Sequence, residues 1–222
     1  IAHSPIQKSG LKLLKKKKAP FLLAIKDSND IAIESLRSIR TAIHFALTQA
    51  KNNIIMISGP APKVGKSFVS SNLAVIMAEK NKRVLVIDAD LRRGHIHKYF
   101  DLNNQYGLTE YLNEQTTLKQ MVQNTKVPNL SVITCGKSPA NPSELLNSAR
   151  FHELLQQLIP YYDHIIIDTA PVLAVTDAII VSQHAGINLV VARYAETQMK
   201  ELELTLNRFK QAGNKVNGFI LN

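Results

Sequence analysis

The sequence predicts an α/β domain, a mostly parallel central sheet with helices on both faces, built around a phosphate-binding loop. Three observations carry this. The apolar run 54–58 feeds a Gly/Pro-rich stretch ending in Gly65-Lys66-Ser67, and a helical pattern follows at once. The β-branched runs 83–88 and 165–168 each end in a carboxylate, Asp88 and Asp168, as expected of parallel strands buried on both faces. From residue 54 onward strand and helix patterns alternate.

In chain order, residues 1–30 read as an extended arm: Ser, Pro and Gly, then the run Lys15–Lys18, then Ala19-Pro20 and the apolar 21–25. A helix is expected from Asp30, with Ile33, Leu36, Ile39, Ile43, Ala46 and Leu47 on one face. Strands are expected at 54–58, 83–88, 130–134, 164–168, 187–192 and 216–221. Helices are expected at 66–80, 143–158, 174–184 and 197–212, with Ser143 and Thr197 as N-caps for two of them. The polar, irregular segment 94–129 reads as a mobile flap with short helices near the site. There is no internal repeat.

Composition bounds the function. With 222 residues, 45% hydrophobic, the chain can bury one sizeable core. The net charge of +10 is concentrated early, at Lys8, Lys12 and Lys15–Lys18; without those six lysines about +4 remains. The basic charge is therefore local, and a nucleic-acid partner is not expected. Cys135 is the only cysteine, so an intrachain disulfide or a cysteine metal cluster is excluded, which suits a reducing cytosol. No apolar run approaches the roughly 18 residues of a membrane span, and no secretory signal is evident. The chain begins with Ile1 and not Met, as a fragment of something longer would.

The loop Gly59–Phe68 is the candidate nucleotide cradle, with Gly59, Pro62, Lys63, Val64, Gly65, Lys66, Ser67 and Phe68 as candidate contacts. Backbone amides and a helix N-terminus offer positive partial charge to an anion. Lys66 has the reach for β/γ-phosphates, and the Ser67 hydroxyl is placed for Mg²⁺. A strict G-x-x-x-x-G-K-[ST] needs glycine at position 60; Pro60 stands there, and Gly59 lies one residue early. The competing reading is a chance Gly-Lys-Ser in a surface turn. Asp88, Asp90 and Asp168, at strand C-terminal ends, lie where open α/β sheets bind ligands. Any one of them alone could instead cap a turn. On the first helix, Glu34, Arg37 and Arg40 form an E-x-x-R-x-x-R ridge within an arc of about 120°. By spacing alone an i,i+3 ion pair on a solvated face is favoured; a seat on a neighbouring subunit is the alternative.

These motifs together resemble the cytoplasmic catalytic domain of the bacterial protein-tyrosine kinases (BY-kinases) of capsule and exopolysaccharide export. The stretch 62–67 is similar to the family's Walker A element, 87–92 to its A′ element, and 166–171 to its Walker B element. Asn141–Leu146 is similar to a stretch common among its members, and Glu34, Arg37 and Arg40 match its oligomerisation motif. The resemblance runs from about residue 21 to the end. It implies a P-loop NTPase of the deviant, ParA/MinD-like type that binds ATP or ADP with Mg²⁺ and transfers phosphate to protein tyrosine. It implies Lys66, Asp88, Asp90 and Asp168 as catalytic residues. Ser67 and, through water, Asp168 would hold the metal; Asp88 would be the general base for the tyrosine hydroxyl or a water-mediated metal ligand, with Asp90 supporting it. Asn222 would join the nucleotide contacts, and Arg92 or Arg93 would stabilise the transferring charge.

It further implies residues 1–20 as a basic juxtamembrane arm and 21–222 as the kinase domain of an inner-membrane protein. Lysines between 8 and 18 would meet anionic lipid. A homo-oligomeric ring, a neighbour's tyrosine-rich tail as substrate and a cognate tyrosine phosphatase are the implied partners. The tail lies outside these residues, whose tyrosines are Tyr99, Tyr106, Tyr111, Tyr161, Tyr162 and Tyr194. Many Gram-negative members pair an internal tyrosine with an arginine where this chain has His95 and Cys135, which puts that switch in question here. A ParA/MinD-type partitioning or positioning ATPase is the rival. Such proteins usually carry an early loop lysine at the position of Ala61; Lys63 is out of register.

Overall fold

The computed structural model describes residues 1–2 and 21–222; the lysine run of the arm lies outside the described residues. Seven strands form one sheet in the order β3-β4-β2-β5-β1-β6-β7. They are β1 (Ile54–Ser58), β2 (Val84–Asp88), β3 (Val122–Asn124), β4 (Leu130–Ile133), β5 (His164–Asp168), β6 (Ile187–Ala192) and β7 (Gly218–Leu221). All pairings are parallel except β3 with β4. The parallel α/β class and six of the strands are as the sequence predicts. The seventh, β3, is a three-residue antiparallel edge strand, too short and too polar to show a periodic signal.

Side chains alternate across the sheet and fill a core on each face. Ile55, Ile57, Val84, Val86, Ile166 and Val191 enter one core. Ile54, Met56, Leu85, Ile87, Ile165, Ile167 and Val190 enter the other. The first core is covered by α1 (Leu23–Lys26), α2 (Ile31–Leu47) and α3 (Lys66–Ala78). Asp30 caps α2, its carboxylate accepting from Ala32 N at 2.8 Å. All thirteen residues of α3 are buried, the polar Lys66, Ser67, Ser70, Ser71 and Asn72 of its first half included. Beyond it, Lys80 and Asn81 take positive φ values of 60° and 61° and turn the chain toward β2.

Several expectations need correction. Residues 21–26 are no extended arm: Phe21, Leu22 and Leu23 are buried, and Leu23–Lys26 is helical. The segment 94–129 carries short helices, as expected, but it packs into both cores where a loose flap was expected. It contains α4 (Ile96–Phe100), α5 (Leu108–Leu112), α6 (Leu118–Met121) and β3. It contributes Ile96, Tyr99 and Phe100 to one core, and Leu108, Tyr111, Leu112 and Met121 to the other. The helix expected at 143–158 is two, α7 (Pro142–Leu146) and α8 (Ala149–Leu158). Ser148 breaks it by becoming the N-cap of α8, its hydroxyl accepting from Phe151 N at 3.2 Å. Ser143 does not cap α7; its hydroxyl donates to Asp177 Oδ1 at 2.6 Å. Two helices follow, α9 (Asp177–Ser182) and α10 (Met199–Gln211). Thr197 does not cap α10. Its Oγ1 accepts from Arg193 N, while Gln198 N donates to Glu201 Oε2 in the first turn.

Candidate active site

The C-terminal ends of β1, β2 and β5 adjoin in the sheet, and the loops leaving them build one site. From β1, residues 59–65 turn over the strand and enter α3. Gly65 supplies the reversal at φ 103°, a left-handed conformation that side chains disfavour. Its Cα faces the Asn222 amide, and an added Cβ would lie 2.1 Å from Nδ2. Asn222 Nδ2 donates to Val64 O at 3.0 Å, so the end of β7 props the loop. From β5, the turn 169–173 bonds back: Val172 N donates to Gly59 O at 2.9 Å, and Leu173 N to Pro60 O at 3.2 Å. Lys63 holds φ 67° and its carbonyl accepts from Arg193 Nη1 at 3.3 Å. Val64 and Phe68 are buried in the core, leaving their backbone as their available contact. Lys66 and Ser67 open α3, with Lys66 only 8% exposed.

Asp88 and Asp168 are register partners at the ends of β2 and β5, and both are buried. Their hydrogen bonds come from neutral donors. Asp168 accepts from Ser67 Oγ at 2.6 Å and from Ser70 Oγ at 2.8 Å. Asp88 accepts from Ile96 N at 2.9 Å and Asp90 N at 3.3 Å. Burial, then the charge of Asp168, pushes the Asp88 carboxyl well above the ordinary range. Burial also raises Asp168, against the opposing pull of Lys66 and the two serine hydroxyls. Two buried carboxylates facing one another are costly unless a cation joins them.

These residues fit Mg²⁺. Ser67 gives its hydrogen to Asp168, which leaves its oxygen lone pairs available to a metal. No cluster of three or more His, Cys, Asp or Glu ligands occurs among the described residues. A serine hydroxyl and two carboxylates are oxygen donors, the ligand type of an ion that also keeps water and phosphate oxygens.

Asp90 lies in the turn after β2, where its Oδ1 accepts from Arg93 N at 2.9 Å. Arg92 is engaged elsewhere: Nε and Nη2 reach Asp177 Oδ2 and Oδ1 at 2.9 and 3.3 Å. His95 is exposed and Cys135 buried. Burial, then the charge of Asp88, pushes the Cys135 thiol up to about 12, so it is no nucleophile. Sequence reading missed Ser70, one turn after Ser67, and the backbone of 94–96 around Asp88. At Gly94 a Cβ would lie 2.6 and 2.7 Å from the two Asp88 oxygens. Serine four residues after a loop lysine was the signal for the first; the second had none.

Glu34, Arg37 and Arg40 are not at this site. They cluster about Glu79, just past the far end of α3, about 18 Å from Lys66 at 1.5 Å per residue. Arg37 pairs with Glu34 and lies 3.7 Å from Glu79; Arg40 lies 2.8 Å from Glu79 and donates to Ile76 O at 3.1 Å.

Known proteins share this arrangement. Residues 52–217 match the family model described as an AAA domain. Tyrosine-protein kinase ptk of Acinetobacter johnsonii is 67% identical over 222 residues, covering 100% of this chain and 30% of that protein. The solved BceF tyrosine kinase domain superposes with a TM-score of 0.92 at 42% identity, covering 100% of this chain and 90% of that one. The chain belongs to the family of bacterial tyrosine-kinase domains. This kinase domain shares only its fold, a P-loop ATPase fold, with the septum site-determining protein MinD complexed with Mg-ADP from Pyrococcus horikoshii (TM-score 0.64, 22% identity, 77% of this chain and 70% of that one). It spans about 30% of the length of the curated relatives it matches. No helix among its described residues is long and apolar enough to cross a membrane.

Proposed function

We propose that the domain is an ATP-dependent protein-tyrosine kinase that autophosphorylates in trans and regulates capsular or exopolysaccharide polymerisation and export. The observation that carries this is the buried Asp88–Asp168 pair beside Lys66 and Ser67, in a chain 67% identical to a protein named a tyrosine kinase. Lys66, with the amides of 59–68 and the Asn222-propped loop, binds the triphosphate. Ser67 and Asp168 would hold Mg²⁺, which when bound would neutralise charge on the phosphate oxygens, with Asp88 acting as the base or as a further metal ligand. Asp88 takes the proton of the tyrosine hydroxyl as its oxygen bonds to the γ-phosphorus, and ADP leaves. Burial makes this carboxylate more basic and so narrows its gap to a phenol with pKa near 10. Asp90 supports the turn that carries Asp88.

Residues 21–222 are the catalytic domain and 1–20 a basic juxtamembrane arm, whose lysines between 8 and 18 meet anionic lipid on the cytoplasmic side of a bacterial inner membrane. The functional unit is a homo-oligomer, a ring assembled through Glu34, Arg37 and Arg40, with the tail of one subunit as substrate of the next. A cognate tyrosine phosphatase reverses the reaction. The rival partitioning ATPase shares only the fold, at 22% identity.

The deciding experiment gives labelled ATP and Mg²⁺ to the full-length protein and blots for phosphotyrosine. Lys66→Met and Asp88→Asn should each lower the signal at least about 100-fold, the scale of losing one preorganised charge-stabilising or proton-accepting group. ATP hydrolysis without phosphotyrosine would favour the partitioning ATPase.

A further inference from the structure

One ion pair with a buried carboxylate lies outside the phosphate loop and is not used by the chemistry above. Asp177 opens α9 with its side chain fully buried. Three hydrogen bonds hold its carboxylate: Arg92 Nε at 2.9 Å, Arg92 Nη2 at 3.3 Å and Ser143 Oγ at 2.6 Å. Arg92 Nη2 also donates to Ser143 Oγ at 3.1 Å, which closes the triangle. The Arg92 side chain is 39% exposed, while that of Asp177 is fully buried.

The arginine belongs to the turn that shapes the catalytic carboxylate. Residues 89–96 fold around Asp88: Asp90 N and Ile96 N donate to its two oxygens, and Gly94 packs directly on them. Asp90 Oδ1 accepts from Arg93 N and stiffens the same turn. Among the described residues no side-chain donor bonds Asp88, so the path of this turn sets its orientation. Within the turn, Arg92 makes the side-chain bonds to α7 and α9, two elements anchored in the core through Leu146, Ala178 and Val181.

Resting on the kinase reading above, we propose that Arg92, clamped by Asp177 and Ser143, is a positioning residue that fixes the 89–96 turn and thereby aims Asp88 at the acceptor hydroxyl. Its two-pronged bond to Asp177 gives directional hold that a lysine cannot reproduce. It does not touch the transferred phosphoryl group, the task the sequence assigned to Arg92 or Arg93. A misplacement of about 1 Å at a reacting group costs on the order of 100-fold in rate, so a modest shift of this turn is enough to matter.

The test uses full-length protein with labelled ATP and Mg²⁺, following both phosphotyrosine and inorganic phosphate, with nucleotide affinity from fluorescent ADP. Arg92→Ala should lower kcat roughly 10- to 100-fold while KM for ATP and ADP affinity stay within about 2-fold, because the phosphate loop is untouched. Arg92→Lys should fall between the two, and millimolar ethylguanidinium should restore much of the rate to Arg92→Ala but none to Lys66→Met. Because Asp177 is buried, Asp177→Asn is replaced by the paired Arg92→Met/Asp177→Leu protein if it fails to fold; that apolar pair keeps the packing and removes the clamp. A folded Arg92→Ala protein with parental kcat would overturn the proposal. So would a rise in KM with kcat unchanged, which would place Arg92 on the nucleotide. A parent that releases phosphate without making phosphotyrosine would end the kinase reading alone, since the clamp is still read on phosphate release.

Discussion

Asp88 offers the sharpest test at the scale of single residues, because its fold works against its charge. The native state holds its proton more tightly than the unfolded chain does, through burial and the neighbouring Asp168. Stability is then greatest below the unfolded pKa near 4 and falls as pH rises toward the elevated folded value. In nucleotide-free protein with chelator present, Asp88→Asn should match its parent near pH ~3.5 and melt higher than it near pH ~8. The half-buried imidazoles of His97, His164 and His184, held low chiefly by desolvation, act in the opposite sense, destabilising as pH falls through about 6.5. The difference between the two melting curves is therefore the measurement, and parallel curves would refute a buried charged Asp88. The placement of Lys66 and Ser67 at a helix start and of Asp88 and Asp168 at strand ends was legible in the sequence, because local patterns mark each position. Asp177 was not, since only the fold brings it 85 residues back to Arg92.

At the scale of elements, the strands buried on both faces were readable because continuous β-branched runs admit few other environments. Local chemistry defeated the helix boundaries instead: Ser148 offers its oxygen to Phe151 N and starts a new helix where the apolar period runs on unbroken. The same limit applies to α2. Spacing placed Glu34, Arg37 and Arg40 on one arc, yet only the packing of α2 on α3 brings them to Glu79. Within one chain those pairs are solvent-accessible, so changing Glu34, Arg37 and Arg40 to alanine should cost little, up to about 1 kcal/mol. If the ridge seats on another subunit, the same change should abolish assembly in sedimentation of the detergent-solubilised protein while leaving nucleotide binding intact. Parental assembly in the triple variant would reduce the ridge to an intrachain clasp with Glu79.

For the molecule as a whole, ligand binding and subunit exchange are the observables. Mg·ADP at about 100 times its Kd should add roughly 2.7 kcal/mol, a rise in Tm of about 5–10 °C for a domain of this size. An unmoved Tm at saturation would count against a nucleotide site at 59–68. The direction of phosphorylation needs a different test, because geometry allows two routes. Asn222 sits against the phosphate loop through Val64 O, so a tail continuing from it would leave close to its own site as well as near any subunit packed there. Mixing separates the routes. On the reading proposed above, full-length Lys66→Met protein would supply a tail but no catalysis, and protein ending at Asn222 would supply catalysis but no tail. Phosphotyrosine on the Lys66→Met chain requires transfer between subunits. Its rate should fall as salt rises if exposed charge pairs join them, and should rise when both chains share one membrane, where tethering raises local concentration. No label on the inactive chain, while parental protein labels itself at a rate independent of its concentration, would establish transfer within one subunit. The α2 ridge would then have no part in delivering the substrate.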